Sequence, residues 1–457
     1  MRQDIETILG SWTAGLSPDG MSDSVRRTAV RCMTDCVGVA LAGTGSEAYR
    51  RARSSLTGPA GSCSALGQSL RATPADAAFL NAVAAHAYDF DDTCFAGIAH
   101  ASAVVLPAAL AAAQHEGGRR GEDLLVSFVA GIETACRLGL AFTDALYYRG
   151  HWNTGLLGVA GAAAAVSRML GLSPAQTTHA LRLAINFPLG LRAIMGSNSK
   201  PYLCGAAART GLECAYAARA GIQGQPHTLE GSMGFVPVIN QGILERAALR
   251  GPDAPYCIED PGVAFKLFPI CSAGQAGAEA LLALRAAPGV EAGQVESITC
   301  LVTELVNISL RYPRPDSLAQ AQFSMPFAIA SCLVYGELGI SQLEEGAYRR
   351  PEITRLMEKV SMIQDDALVP PAQRLHCPEA TRVILRLRGG EVLEHTVLAA
   401  CGMPRNPAAP ERLRRKFHDC AAPVLGESRA RQLFEALDHL PGTGALEPVI
   451  RMGEAAS

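Results

Sequence analysis

The sequence predicts a mainly α-helical protein. A large all-helical domain covers residues 1–262 and 398–457, and a smaller α/β (α+β) lid domain covers 263–397. Three observations lead there. Apolar residues make up 49% of the 457 but aromatics only 5%, so the cores must be built from Ala, Leu and Val. Such side chains let helices approach closely. The first 260 residues repeat apolar positions at helical spacing, with Gly or Pro separating many of the segments. Beyond residue 262, short alternating stretches appear instead. The length also exceeds the ~250–300 residues that one core usually encloses.

Segment 24–41 sets the helical pattern. Val25, Ala29, Val30, Met33, Val37 and Leu41 recur at helical intervals, and Gly43 follows as a stop. Segments 74–88, 102–115, 122–142, 154–170, 174–186 and 203–220 share its Ala-rich character. In the second domain, 297–306 alternates roughly like a strand, and 382–388 alternates more cleanly. Val383, Leu385 and Leu387 fall on one side, and Arg382, Ile384, Arg386 and Arg388 on the other. Gly389-Gly390 then turns the chain into 392–397, a hairpin signal. Helices over 274–286, 324–336 and 350–358 lie between the strands. Segments 411–420 and 427–437 are helical again and return to the first domain.

Several function classes are excluded. There are 40 basic and 43 acidic residues, a net charge of −3, and no long basic block, so no nucleic-acid footprint is visible. The opening MRQDIETILGSW carries acids and lacks an apolar core, unlike a signal peptide. The uncharged apolar runs 103–113 and 156–166 fall short of the ~20 residues a membrane span needs. A cytoplasmic protein without a membrane partner is therefore expected. The 14 cysteines are scattered with no C-x-x-C pair. They read as small core hydrophobes in a reducing compartment, not as a zinc site.

Four segments could carry chemistry. The first is His86-Ala-Tyr-Asp89-Phe-Asp91-Asp92-Thr93, followed by His100. Three acids beside a histidine are costly to place together unless they are solvated or bind something. The stretch reads as an acidic loop that caps helices, as a Mg²⁺ site, or as an acid/base site in which His100 moves protons beside Asp89. The second is Tyr147–Gly155, where Arg149 and His151 precede a helix start. Helix N-termini attract anions, although Asn153 or Thr154 as a plain cap explains the pattern equally. The glycines at 155, 158 and 161 follow no strand, which rules out a dinucleotide fold. The third is Met195–Pro201, where Lys200 precedes a small-residue helix and could hold a carboxylate as a point charge. The fourth, Phe265–Gln275, lies at the domain junction, a common place for a binding cleft. Its Cys271 has no visible flanking base and reads as a buried thiol.

The order of these segments resembles the MmgE/PrpD family. The resemblance is carried by HAYDFDDT with His100 and Pro107, then G-x-x-x-T-G before an Ala-rich helix. It continues through S-K-P-x-x-x-G-x-A-A-x-x-G, Leu229–Phe235, K-x-x-P-x-C, and Phe323-Ser324. It runs from about residue 5 to 440. It implies a helical domain with an α/β lid, usually as a homodimer. It also implies cofactor-independent chemistry on a small di- or tricarboxylate: 2-methylcitrate dehydration, cis-aconitate decarboxylation or iminodisuccinate epimerisation. Asp89, Thr93, His100 and Lys200 match positions that line the family's active site. Three positions depart: Trp152 and Gln275 stand where the family has a histidine, and Phe327 where it often has a tyrosine. A glutamine is no general acid, and a phenylalanine has no hydroxyl to donate.

The chemistry so implied builds charge next to a carboxylate, which fixed cations and hydrogen bonds must stabilise. The expected catalytic set is His100, Lys200, Asp89 and His151, the last substituting for the displaced histidine. The expected substrate-binding set is Thr93, Arg149, Arg192, Lys266 and Gln275, with the two arginines as carboxylate clamps. No metal is expected. The leading expectation is dehydration of a 2-methylcitrate-like β-hydroxy polycarboxylate. The alternatives are an aconitate-type decarboxylase, an iminodisuccinate-type epimerase, and a catalytically degenerate, carboxylate-binding dimeric scaffold.

Overall fold

Small side chains decide how the helices meet. The computed structural model describes residues 3–187, 190–249 and 254–455. Helix α1 (Asp23–Gly43) starts at Ser22, whose hydroxyl accepts from the Val25 N–H. Helix α2 (Pro74–His86) starts at Thr73, with Pro74 in its first turn. The two cross where Gly43 touches the Ala84 carbonyl, leaving no room for a Cβ. Helices α3 (Ala101–Glu116), α4 (Gly121–Phe142), α5 (Asn153–Leu170) and α6 (Ser199–Arg219) complete the central pack. Helix α5 lies against α3, α4 and α6. It ends on Gly171 in the left-handed region, φ +68°, where glycine carries no Cβ penalty.

Helix α4 is longer and more apolar than the runs noted in the sequence. It is long and apolar enough to cross a membrane, yet 94% of its most apolar window is buried inside the protein. Glu133 and Arg137 pair within it at 3.1 Å. It therefore packs as a core helix here.

The α/β segment contains one four-stranded sheet. Strands β1 (Val295–Val302), β2 (Val360–Gln364), β3 (Thr381–Leu387) and β4 (Val392–Val397) lie in the order β2-β1-β3-β4. β1 and β2 run parallel; the other two pairings are antiparallel. Val383, Leu385 and Leu387 point into the core, as their alternation predicts. The hairpin turns on Gly390 at φ +85°. Strand β1 is shorter than expected because Thr303 caps a short helix, Glu304–Ser309, with its hydroxyl. Helix α7 (Gln275–Arg285) covers β3 and β4, and helix α8 (Met325–Tyr335) packs on α7 and β2.

Three connections position the site. Helix α9 (Pro410–Leu425) returns to α1, where the Lys416 ammonium lies 2.7 Å from Asp35 and donates to the Phe90 carbonyl at 2.8 Å. The two-residue strands Thr93–Cys94 and Val263–Ala264 pair antiparallel, joining the loop after α2 to the segment that carries Lys266. Apolar side chains from the helices and from the sheet share one contiguous buried cluster.

The crossing of α4 and α5 can be tested. A Cβ on Gly131 of α4 would stand 2.6 Å from the Gly161 carbonyl of α5 and 2.6 Å from Val105. Gly131→Ala gains helix propensity but overpacks this crossing, so a net loss of about 1–2 kcal/mol is expected in urea unfolding. A midpoint equal to wild type would show the crossing to be looser.

Candidate active site

Helix α2 ends at His86 and α3 begins at Ala101, so the acidic stretch becomes the loop between them. Asp89 sits in the left-handed region at φ +49°, which Asp tolerates better than most residues. Its Oδ2 accepts from the Lys200 Nζ at 3.1 Å. Its Oδ1 and its own carbonyl both accept from the Lys266 Nζ, the carbonyl at 2.7 Å. All three residues are buried, at 2%, 3% and 2% exposure for Asp89, Lys200 and Lys266. Burial alone would raise the Asp89 pKa. The two ammonium groups outweigh it and hold the carboxylate well below its usual range. Burial likewise opposes charge on Lys266, but Asp89 and then Asp91 overcome it and raise that pKa.

The chain of contacts extends through two histidines. His86 Nδ1 lies 2.7 Å from Asp91 Oδ2, and its Nε2 lies 2.6 Å from the Lys200 Nζ. An ionised carboxylate only accepts and an ammonium only donates, so the His86 proton sits on Nδ1. Burial lowers the His86 pKa, which favours that neutral ring. Burial pushes the Asp91 pKa up, but His86 and His100 outweigh it and the net direction is down.

His100 is held differently. Its Nδ1 lies 2.9 Å from the Asp92 carbonyl and 3.2 Å from the Thr93 hydroxyl. A carbonyl only accepts, so Nδ1 carries the proton and Nε2 presents a lone pair. That Nε2 stands 3.7 Å from Asp89 Oδ1. Burial, and then Lys266, pull the His100 pKa well below the usual histidine value. The His100 N–H donates to Thr154 at the start of α5 at 3.1 Å.

Asp89, Thr93, His100 and Lys200 line one small cavity with Trp152 and Glu379, of about 20 Å³. That is room for roughly one water. A larger cleft of about 640 Å³ lies alongside, and Ile98 and Leu305 line both. The sequence therefore named four residues that converge, and Lys266 joins them from behind Asp89.

His86, Asp89, Asp91 and His100 offer atoms within 4.8 Å of one another, a spacing that could hold a metal ion. Lys200 faces His86 and Asp89, and Lys266 faces Asp89, so Asp89 is committed to two ammonium groups. Asp91 Oδ1 has no hydrogen-bond partner, and His100 Nε2 keeps its lone pair.

Four expected site residues lie elsewhere. Gln275 spends its amide on the backbone of the preceding loop, accepting from Leu267 and Phe268 and donating to Phe268 and Ile270. Arg149 donates to the carbonyl and side-chain oxygens of Asn240 at 2.9 and 3.0 Å. Arg192 donates to the Tyr147 and Ile308 carbonyls and stacks 4.3 Å from the Tyr147 ring, which lines the cavity. His151 pairs through its backbone with Leu191, and Trp152, one residue on, takes the place at the cavity. Conversely, the sequence gives no role to His86, although it heads the acidic segment, and none to Glu379. A histidine after an Ala run looks like core filling, and no local pattern marks Glu379.

Two family patterns match the chain. The MmgE/PrpD N-terminal domain pattern covers residues 7–245, and the MmgE/PrpD C-terminal domain pattern covers 268–440. The chain belongs to the MmgE/PrpD family. Relatives include the cis-aconitate decarboxylase of Mus musculus, 28% identical over 443 residues, covering 93% of this chain and 88% of the relative. The cis-aconitate decarboxylase of Aspergillus terreus is 26% identical over 472 residues, covering 96% and 94%. A cis-aconitate decarboxylase-like protein of Aspergillus oryzae is 28% identical over 466 residues, covering 94% and 93%. Membership of the MmgE/PrpD family makes an enzyme acting on a small carboxylate the coarse functional assignment.

Asp92 gives this site a pH signature. Burial raises its pKa to about 7, above the ~3.9 of an unfolded aspartate. Between those values the folded chain binds more protons than the unfolded one, so stability falls as pH rises. Asp92→Asn removes this contribution. The loss of unfolding free energy between pH 5 and pH 8 should shrink by about 2–3 kcal/mol relative to wild type in urea titrations. An equal loss in both proteins would count against a neutral Asp92.

Proposed function

We propose that this protein decarboxylates an unsaturated tricarboxylate of the cis-aconitate type. The observation that carries the reading is the pair of buried ammonium groups, Lys200 and Lys266, flanking Asp89 at a small cavity. The names of the relatives support decarboxylation among the chemistries such a cavity could serve.

The physical argument follows from where charge appears. Breaking the C–CO₂ bond leaves an electron pair, which shifts through the double bond toward a remaining carboxylate. Fixed positive charge in a water-poor cavity stabilises that growing anion without solvent reorganisation. Lys200 lines the cavity and faces the substrate; Lys266, behind Asp89, keeps that carboxylate from neutralising Lys200 fully. Thr93 can donate its hydroxyl to a substrate carboxylate. This route draws on the chain's own residues alone.

One observation favours a second reading, dehydration of a 2-methylcitrate-like β-hydroxy tricarboxylate. His100 Nε2 is an unprotonated nitrogen at the cavity, and a base there could take a proton beside a carboxylate. The two readings separate in one assay. Incubation with cis-aconitate should release CO₂, whereas dehydration of 2-methylcitrate should give a new ultraviolet-absorbing double bond and no CO₂.

Under decarboxylation, Lys200→Met should lower kcat by about 10²–10³-fold, measured by CO₂ release. Near-wild-type turnover in that variant would remove the electrostatic argument. Under dehydration, His100→Ala should cost roughly 10²–10⁴-fold in double-bond formation.

A further inference from the structure

We propose that the side-chain carboxyl of Glu379 donates the proton that completes the decarboxylation, reaching the substrate from the loop that leads into β3. The inference rests on the decarboxylation reading above and supplies a step which that reading leaves open. Loss of CO₂ must be followed by protonation of carbon, and His100 is poorly set for it. Its Nδ1–H is committed to the Asp92 carbonyl and its Nε2 carries no proton. A second proton on that ring is opposed by burial and by Lys266.

Glu379 is placed to fill the gap. It lines the same cavity as His100, Lys200, Asp89 and Thr93, at 6% exposure. Asp89 has Lys200 and Lys266, Asp91 has His86, and Asp35 has Lys416; Asp92 has the Ser102 hydroxyl and does not line the cavity. Among the described residues, Glu379 makes no ion pair of that kind. Its side-chain partner is the Ser272 hydroxyl. The titratable and charged groups that face it are Lys266 and Cys271 from the 263–275 segment, Asp89 from the α2–α3 loop, and Tyr147. Burial keeps the thiol and the phenol protonated by raising both pKa values. Burial also raises the Glu379 pKa to about 7, with Lys266 pulling it down and Asp89 pushing it up. A carboxylic acid whose pKa matches the working pH is a suitable donor.

The step balances as follows. The C–CO₂ bond breaks, CO₂ leaves, and its electron pair passes through the double bond to the carbon beside a remaining carboxylate. The Glu379 O–H bond breaks and a C–H bond forms at that carbon. The resulting Glu379 carboxylate is reprotonated from solvent after product leaves, so each turnover takes up one proton.

The test compares wild type, Glu379→Gln and Glu379→Asp, with cis-aconitate as substrate and CO₂ release as readout. Glu379→Gln preserves size and hydrogen bonding but holds no acidic proton. The expected result is a fall in kcat of about 100-fold or more, with KM and Tm near wild type. The decline of wild-type kcat at alkaline pH should vanish in Glu379→Gln and persist in Glu379→Asp. A Glu379→Gln protein that keeps more than about a tenth of wild-type kcat, or keeps the alkaline decline, overturns the proposal. If Glu379→Gln fails to fold, Glu379→Asp decides: an alkaline limb unmoved from wild type overturns it and a displaced one supports it. Wild type that releases no CO₂ refutes the decarboxylation reading itself, and the donor role with it. An active wild type with an active Glu379→Gln refutes only the role of Glu379.

Discussion

A single carboxylate shared by two ammonium groups organises the site. Asp89 would be costly to bury alone, as would Lys200 or Lys266. Each becomes tolerable because the other two are there. The three come from the α2–α3 loop, the start of α6 and the segment after Val263–Ala264, so the ion cluster forms only when those parts of the chain are docked. Removing Asp89 would leave two buried ammonium groups without it, a loss of about 3–5 kcal/mol in comparable cases. The geometry of the active site and the docking of its supporting elements are thus one property.

Around that cluster, hydrogen-bond direction assigns the histidine tautomers. The Asp91 carboxylate fixes the proton of His86, and the Asp92 carbonyl fixes that of His100. The two rings are 4.9 Å apart yet hold opposite positions in the network. His86 Nε2 is occupied by Lys200, whereas His100 Nε2 faces the cavity. Neighbouring acids are separated in the same way. Asp89 and Asp91 are held ionised by cationic or histidine partners, while burial lifts the pKa of Asp92 and Glu379, with hydroxyl partners, to about 7. Carboxyl groups a few ångströms apart acquire different chemical roles from their partners alone.

Much of this was readable from the chain, for identifiable reasons. The Ala-rich helices show their periodicity and their Gly or Pro stops, so α1 to α6 could be placed within a few residues. The β3–β4 hairpin was legible because its apolar positions alternate cleanly up to Gly389-Gly390. Strand β2 was not, because Val360–Gln364 is an edge strand and mostly unburied, and the pair 60–64 with 71–72 is built from small residues. In the site, Asp89, Thr93, His100 and Lys200 stood in ordered motifs. Arg149, Arg192 and Gln275 do not line the small cavity, and the partners they bond to leave no mark in the sequence. The link from His86 to Lys200 and the place of Glu379 in the cavity join residues distant along the chain, so no local motif shows them.

The strand pair between Thr93–Cys94 and Val263–Ala264 has a consequence for how a substrate can get in. It clasps the cavity on the side where Lys266 reaches Asp89, so parting the protein along that seam would strip a buried charge of its counter-ion. The border with the wide cleft is different: Ile98, itself at φ +48°, and Leu305 line both the small cavity and that cleft. Apolar surfaces of that kind are cheap to part by comparison with a desolvated ion pair. The seam held by the ion cluster is thus the costlier side to open, and the hydrocarbon border the cheaper one.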